Sequence, residues 1–449
     1  MTTSTFDDLN LNTPLRNALS ELGYKIPTPI QHRVFSTVMS GRDVCGIAQT
    51  GTGKTLAYLL PCLRQWVFSK DKKPQPQILI LVPTRELVVQ VVETIRSLTP
   101  YMSLIPAGIY GGVNINTQQL ELMKGADVLV ATPGRFYDLA MNGAFKTKTI
   151  KKLVIDEVDE MLNLGFRTQL RNILGLLPPK RQNLLFSATM TEDVEALMDT
   201  YFANPVKVEA APTGTPLENI AQTGYEVPNF NTRVNLLELL LTGDKTMTKV
   251  LVFAATKNLA DQLHEQMEIK FPGEAGVIHS NKEQNHRFNT VRSFKDGTYR
   301  LIIATDIVAR GIDIAEVTHV INFDVPEVPE NYIHRIGRTG RADKKGIAIS
   351  FITEKEKPSL TAIETLMKYQ VPIAPLPADL IISDELTEEE KPKVFMKTDV
   401  IKPKKKEERG ASFHEKSAKN SKVNVIVRHK DRMMKKYGKP IKRGAKKKK

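Results

Sequence analysis

Short runs rich in Val, Ile and Leu recur through the chain, separated by stretches in which apolar residues return at helical spacing. In the first half they read DVCGIA, QILILVP, DVLVAT, KLVIDE, QNLLFSAT and VKVEA. Their apolar character is continuous rather than alternating. That marks strands buried on both faces, as in a parallel sheet with helices on each side. After APTGTPLENIAQTG the series restarts with KVLVFAAT, GVIHS, RLIIATD, HVINFD and GIAISFI. The sequence thus predicts two tandem α/β domains, residues 1–210 and 225–386. A linker at 211–224 joins them, because its Pro, Gly and Thr punctuate elements rather than continue them.

From residue 387 onward the apolar periodicity fades, and runs such as KPKKKEER and KRGAKKKK cannot bury enough surface to offset chain entropy. Residues 387–449 are expected to be a tail without fixed structure when free. Its one apolar alternation, VNVIV at Val423–Val427, is a segment that could order on a partner. Two domains with an appendage suit a chain of 449 residues.

Charge sharpens the picture. The net charge is +14, but Lys391–Lys449 holds 23 Lys plus Arg against 5 Asp plus Glu, a net of +18. The remainder carries 41 basic and 45 acidic residues, a net of −4. An excess this concentrated points to a polyanion partner, nucleic acid before an acidic membrane surface. No window approaches the roughly 18 consecutive apolar residues of a membrane span, and the N-terminal MTTSTFDDLNLNTPL has no secretory pattern. A cytoplasmic protein with no membrane partner is expected. The two cysteines, Cys45 and Cys62, lack metal-type spacing and are read as small core residues.

AQTGTGKT, Ala48–Thr55, follows a predicted strand and opens a helical pattern. Ala48 stands where the phosphate-loop pattern G-x-x-x-x-G-K-[ST] has its first glycine. What remains still suits phosphate: Gly51 and Gly53 let backbone N–H groups curl around it, and the helix N-terminus adds a favourable dipole. Lys54 would reach the β- and γ-phosphates and Thr55 would help hold Mg²⁺. About a hundred residues on, LVIDEVDEML sets Asp156, Glu157 and Asp159 behind an apolar run. The carboxyl end of a strand is where open α/β sheets bind ligands. There Asp156 could hold Mg²⁺ and Glu157 could orient or deprotonate a water. The plainer reading is that these acids cap the next helix.

The set of motifs resembles the DEAD-box RNA helicases of superfamily 2, which have two RecA-like domains with ATP between them. About ten motifs match in the family's order over roughly residues 6–376, and Ala48 is the family's ordinary first residue of the phosphate loop. The chain looks most like the bacterial RhlE-like branch, through KRQNLLFSAT, ATDIVARGIDI and NYIHRIGRTGRA. The acidic motif departs in one place: Val158 stands where the family has Ala, so it reads DEVD.

The resemblance implies roles residue by residue. In IPTPIQ, Gln31 would read the adenine edge while Phe6 stacks on the ring, which makes ATP the fuel. Gln49, Thr50, Gly51, Thr52, Gly53, Lys54 and Thr55 would wrap its phosphates, and Asp313 would meet its ribose. Ser187 and Thr189 of SAT would couple hydrolysis to strand separation through Asp159. HRIGRTGR would supply Arg338 and Arg341 as arginine fingers, while His334 and Arg335 would tie the second domain to the acidic motif and the nucleotide. RNA contacts would fall on Thr84, Arg85, Gly111, Gly112, Thr132, Arg135, Gln284, Arg287, Thr305 and Gly311.

The implied function is an RNA-stimulated ATPase that unwinds short RNA duplexes locally or remodels RNA–protein complexes, with the basic tail adding RNA affinity. Ribosomal or RNA-decay assemblies are the implied settings. An RNA clamp timed by ATP, with little strand displacement, is the alternative. A DNA helicase is a third reading, disfavoured by the form of IPTPIQ and HRIGRTGR.

Overall fold

The computed structural model describes residues 5–48, 51–71, 73–209, 219–306, 317–340, 345–388, 390–391 and 429–438. Two seven-stranded, wholly parallel sheets form its frame. The first contains β1 Val44–Ile47, β2 Ile78–Leu81, β3 Pro106–Ile109, β4 Val128–Ala131, β5 Lys152–Ile155, β6 Gln182–Ser187 and β7 Val206–Glu209, in the order β3-β4-β2-β5-β6-β1-β7. The second contains β8 Ile220–Glu226, β9 Val250–Phe253, β10 Ala275–Ile278, β11 Leu301–Ala304, β12 His319–Asn322, β13 Gly346–Ile352 and β14 Ile373–Ala374, in the order β10-β11-β9-β12-β13-β8-β14. These are the two RecA-like domains.

The continuous apolar runs are explained by what covers each sheet. Along a strand, successive side chains point to opposite faces. In β2, Ile78 and Ile80 enter one core layer and Leu79 and Leu81 the other, and Val154 in β5 faces away from Leu153 and Ile155 in the same manner. The second sheet repeats this, with Val250 and Val252 on one face of β9 and Leu251 and Phe253 on the other. Both faces are covered, so the middle positions of the central strands are apolar and the polar residues these strands carry, such as Lys152, Asn183 and Asn322, fall at or near their ends.

All eleven apolar runs are strands. The three strands without such a run are β3, β8 and β14, and each lies at or next to a sheet edge. β3 is half-buried along most of its length, and β14 has two residues. β8 corrects the linker boundary: Ile220–Gly224 pairs with Gly346–Ser350 of β13 and belongs to the second sheet. Its Gly224 is a packing glycine, not a turn signal. A Cβ there would lie 2.7 Å from side-chain carbons of Ile352 and Ile373.

The second domain's packing also runs past residue 386. The side-chain amides of Asn229, Asn231 and Asn235 donate to the carbonyls of Ser383, Glu385 and Ile381, and the Phe230 N–H donates to Glu390 Oε1 at 2.7 Å. This strap closes over the start of helix Phe230–Gly243. Beyond Lys391 the described residues form helix His429–Tyr437, in which residues 432–436 are exposed. The VNVIV segment lies outside the described residues. Among the described residues no helix is long and apolar enough to cross a membrane. Cys45 and Cys62 are buried and free, and burial pushes both thiols up to about 11.

Candidate nucleotide site and nucleic-acid groove

The loop after β1 turns through Gly51 and Gly53, at φ 87° and 86°, into helix Lys54–Arg64. Gly53 is required twice over. Its left-handed backbone disfavours a side chain, and a Cβ would come 2.3 Å from Gln31 Nε2. Gln31 is buried on helix Pro29–Met39. Its Oε1 accepts from the Thr28 N–H at 2.9 Å and its Nε2 donates to the Gly53 carbonyl at 3.2 Å. One donor and one acceptor position of the amide remain, so the residue expected to read a base also braces the phosphate loop. Gln49 and Thr50 lie outside the described residues.

Phe6 does not offer its face as expected. Only 5% of it is exposed, because the turn Phe6–Leu9 packs into the core of the first domain. Tyr24 meets it edge-on at 6.5 Å and is 47% exposed. The accessible ring at this end of the site is therefore Tyr24, which the sequence reasoning missed.

Asp156 leaves the carboxyl end of β5, in the middle of the first sheet, and accepts from the Glu157 N–H at 3.0 Å. Glu157 has left-handed backbone angles, φ 52° and ψ 49°. This conformation is strained for a residue with a Cβ and concentrates at functional sites. Val158 is fully buried in the core layer with Leu153 and Ile155. The extra methyl groups of DEVD thus point away from the acids. Asp159 Oδ2 accepts from the Ala188 N–H at 3.1 Å and from the N–H and Oγ1 of Thr189, each at 3.0 Å. Ser187 Oγ donates to the Thr189 carbonyl at 2.6 Å. The expected link between SAT and the acidic motif is present.

Electrostatics separates the three acids. Burial raises Asp156, with the Lys54 charge opposing it. Burial pushes Glu157 up to about 7, with Lys54 and Arg338 opposing and Asp156 reinforcing. For Asp159 burial also pushes upward, but the charges of His334 and Lys54 and the Thr189 hydrogen bond outweigh it, leaving it lowered. Lys54 is 7% exposed, and its ammonium makes no hydrogen bond among the described residues. A buried ammonium is costly unless its charge is compensated, and here Asp156, Glu157 and Asp159 all lie within reach of the Lys54 charge. Tyr58, wholly buried one turn along the same helix, lies beside Asp156, and burial raises its phenol well above the usual range.

The second domain completes the enclosure. Helix Pro329–Ile336 ends at Gly337, and Arg338 Nε donates back to the His334 carbonyl at 3.3 Å. Lys54, Glu157 and Asp159 from one domain and His334 and Arg338 from the other surround a space of about 10 Å³. Arg335 departs from expectation. Its guanidinium holds Asp306 through Nε–Oδ1 at 2.6 Å and Nη2–Oδ2 at 2.8 Å, donates to the Asp324 carbonyl, and lies over the Phe253 ring at 5.1 Å. With 1% of its surface exposed, it ties the second domain to itself rather than to the acidic motif. Arg341, Gly311 and Asp313 lie outside the described residues.

Beside this site runs a groove of about 440 Å³ lined by Thr84, Arg85, Gly111, Thr132, Arg135 and Arg287, among others. Thr84 and Thr132 are the N-cap residues of helices Arg85–Leu98 and Pro133–Met141, and helix N-termini favour anions. Gly112, at φ 80°, passes under Arg85, where a Cβ would meet Nη1 at 2.0 Å. Arg135 donates to Gln118 Oε1 at 2.6 Å and to the Val113 carbonyl at 2.9 Å. Thr305 is buried just past the end of β11.

Gln284 and Arg287 of the second domain meet Arg85 and Glu86 of the first. Gln284 accepts from Arg85 at 3.1 Å and donates to Glu86 at 2.8 Å, while Arg287 pairs with Glu86 at 2.6 Å. Glu86 was not singled out by sequence. Its signal was an acid directly after Arg85 in the first turn of a largely apolar helix.

Among the described residues no cluster of three or more His, Cys, Asp or Glu is arranged to hold a metal. Asp156, the Thr55 hydroxyl and phosphate oxygens would be the ligands, a donor set that suits Mg²⁺.

Two family models match the chain, "DEAD/DEAH box helicase" over residues 28–197 and "Helicase conserved C-terminal domain" over 231–343. The chain is 38% identical over 369 residues to the DEAD-box ATP-dependent RNA helicase CshA of Bacillus subtilis, covering 82% of this chain and 73% of that protein. Against CshA of Geobacillus kaustophilus it is 38% identical over 370 residues, covering 81% and 77%. The structure of Dbp5 from S. cerevisiae bound to RNA and ADP BeF3 superposes with a TM-score of 0.75 at 30% identity, covering 84% of this chain and 96% of that one. Mss116p bound to ssRNA and AMP-PNP gives 0.76 at 25% identity, covering 84% and 80%. With the acidic motif joined to SAT on one domain and Arg338 brought to it by the other, the chain belongs to the DEAD-box family of ATP-dependent RNA helicases.

Proposed function

We propose that the split site hydrolyses ATP only when the two domains meet, and that closure on RNA disrupts short duplexes. The observation that carries this reading is the pairing of Lys54 and Glu157 from one domain with Arg338 from the other around one enclosed space. Lys54 and the N–H groups of Gly51–Gly53 hold the phosphates. Tyr24 packs on the adenine and Gln31 reads its edge. Thr55 and Asp156 hold Mg²⁺, which when bound polarises the phosphate oxygens. Glu157, poised near pH 7, orients a water and takes its proton. Arg338, with Arg341, faces the charge that develops on the transferred phosphoryl group. His334 steadies Asp159, and Asp313 is assigned to the ribose.

RNA lies along Thr84, Arg85, Gly111, Gly112, Thr132 and Arg135, then crosses to Gln284, Arg287, Thr305 and Gly311. Phosphate and 2′-hydroxyl contacts of this type hold a strand without reading its sequence. CshA, Dbp5 and Mss116p support this by what their names and bound ligands record. The first domain takes residues 1–210, the second the strands from Ile220 to the strap at 391, and the basic tail adds salt-sensitive RNA affinity. The setting is the cytoplasm, in ribosomal or RNA-decay assemblies. Within the family, three segments favour the RhlE-like branch while the relatives above are CshA proteins, and a tree built from the two branches decides between them.

The test is ATP turnover with RNA, with DNA and without nucleic acid, together with displacement of a short labelled RNA strand. RNA-specific stimulation with displacement supports the helicase. ATP-dependent RNA retention without displacement supports the clamp, and equal stimulation by DNA removes the RNA assignment.

A further inference from the structure

The helix that starts at Glu157 is short, Val158–Asn163, and its far end runs directly into Leu164, Gly165 and Phe166. Its two ends belong to different sites. Glu157 borders the space shared with Lys54 and Arg338, whereas Leu164 and Phe166 line the groove with Thr84, Arg85 and Arg135. Two main-chain hydrogen bonds connect them. The Phe166 N–H donates to the Met161 carbonyl at 2.9 Å, and the Met161 N–H donates to the Glu157 carbonyl at 3.1 Å.

This connection is stiff. Val158 and Met161 have no exposed surface, so packing fixes the helix sideways. Six residues span about 9 Å at 1.5 Å each, too short a rod to absorb a displacement by bending. Gly165, at φ 81°, makes the turn that brings Phe166 back onto Met161, and the Phe166 carbonyl accepts from the Leu170 N–H at 2.9 Å as the next helix begins. The rod ends in the left-handed backbone of Glu157, a conformation held only by its surroundings. Phe166 itself is half-buried. Part of its ring packs on the core and part is offered to the groove, and an aromatic face stacks on any base.

We infer that Phe166 is a positioning residue for hydrolysis: a strand seated in the groove packs on its ring, fixes the turn at Gly165, and through helix Val158–Asn163 sets the orientation of Glu157. This rests on the reading of the groove as the RNA site. It makes Phe166 a route by which RNA acts on Glu157 within the first domain, distinct from the closure that brings in Arg338. The physical warrant for coupling is a rigid element whose position both sites bias.

The experiment uses the full chain with Phe166→Ala, Phe166→Leu and Phe166→Tyr, titrated with a single-stranded oligouridylate of about 20 nucleotides, reading ATP turnover. In Phe166→Ala the ratio of RNA-saturated to RNA-free turnover falls at least tenfold, and the half-saturating RNA concentration also rises as the stacking contact is lost. Phe166→Tyr restores the ratio and Phe166→Leu does not. An unchanged ratio overturns the inference, as does a shift in half-saturation alone, an equal loss of turnover with and without RNA, or equal rescue by Leu. Arg85→Ala and Arg135→Ala, run in parallel, test the groove by itself. Unchanged half-saturation in both removes the groove reading, whereas raised half-saturation there with a normal Phe166→Ala ratio removes only the relay.

Discussion

Arg287 of the second domain places Nη2 2.6 Å from Glu86 Oε1 of the first, and less than a tenth of either side chain is exposed. Removing one member of a buried pair leaves the other charged and uncompensated, at a cost of about 3–5 kcal/mol. Here that cost falls on the joined arrangement of the domains. Glu86→Ala is expected to raise the RNA concentration for half-maximal ATPase at least about tenfold, one decade per 1.36 kcal/mol. A double-mutant cycle with Arg287→Ala should give a coupling of about 0.5–3 kcal/mol, and additive effects would remove the latch.

Arg335 and Arg338 lie three residues apart and are expected to fail in opposite ways. Arg335→Met breaks the ties to Asp306 and Asp324 and should lower the melting temperature of the second domain markedly. Arg338→Ala should leave the melting temperature within a few degrees while ATP turnover falls by about 10³-fold or more. Calorimetry beside steady-state kinetics checks both. A loss of turnover without destabilisation in Arg335→Met would return Arg335 to the catalytic set.

How much of this was legible in the sequence depends on what made each residue necessary. Val154 and Leu79 had to be apolar because both faces of their strands are covered, so the central strands were readable as runs. β3 and β8 were not, because an edge or near-edge strand is free to carry Pro106, Gln222 and Thr223. At the site, Lys54, Asp156, Glu157 and Asp159 stood out because charge in those places has few other uses. Arg335 was misassigned because spacing within HRIGRTGR does not say which side of the helix faces inward. Glu86 and Tyr24 were passed over because their roles depend on partners far away in the chain.

Glu157 has a folded pKa of about 7, above the ordinary 4.3 or so of a free Glu. The folded state therefore binds a proton more tightly than the unfolded chain, and stability contributed by the protonated form is lost as pH rises through 7. Glu157→Gln should raise the melting temperature at pH 8 and leave it unchanged at pH 4. Wild-type RNA-stimulated turnover should climb through pH 7, and this limb should be absent from the small residual activity of Glu157→Gln. A flat wild-type profile between pH 6 and 8 would count against Glu157 as the base.

Lys54→Ala removes a buried ammonium that Asp156, Glu157 and Asp159 all feel. Turnover should fall by about 10²–10³-fold or more, the cost of deleting one fixed charge-stabilising group. Nucleotide affinity, measured by fluorescence with a labelled ADP, should weaken in parallel. Near-normal turnover would remove the phosphate loop from the mechanism.

Deleting residues 392–449 removes a net charge of +17, more than the chain's whole excess of +14, and leaves the rest at −3. The logarithm of RNA affinity should become less steep in the logarithm of salt concentration, because fewer phosphates are neutralised. ATP turnover at saturating RNA should be retained. An unaltered salt slope would make the tail a bystander.

The strap held at Ile381, Ser383, Glu385 and Glu390 has a practical consequence for anyone trimming this protein. Cutting at 386, where composition alone would place the edge of the folded part, discards Glu390 and with it the carboxylate that meets the first N–H of helix Phe230–Gly243. It also frays the end that Asn231 grips at Glu385. The shortest enzyme that keeps its second domain sealed ends at Lys391, and losses seen in shorter versions should be charged to an uncapped helix before they are credited to missing RNA contacts.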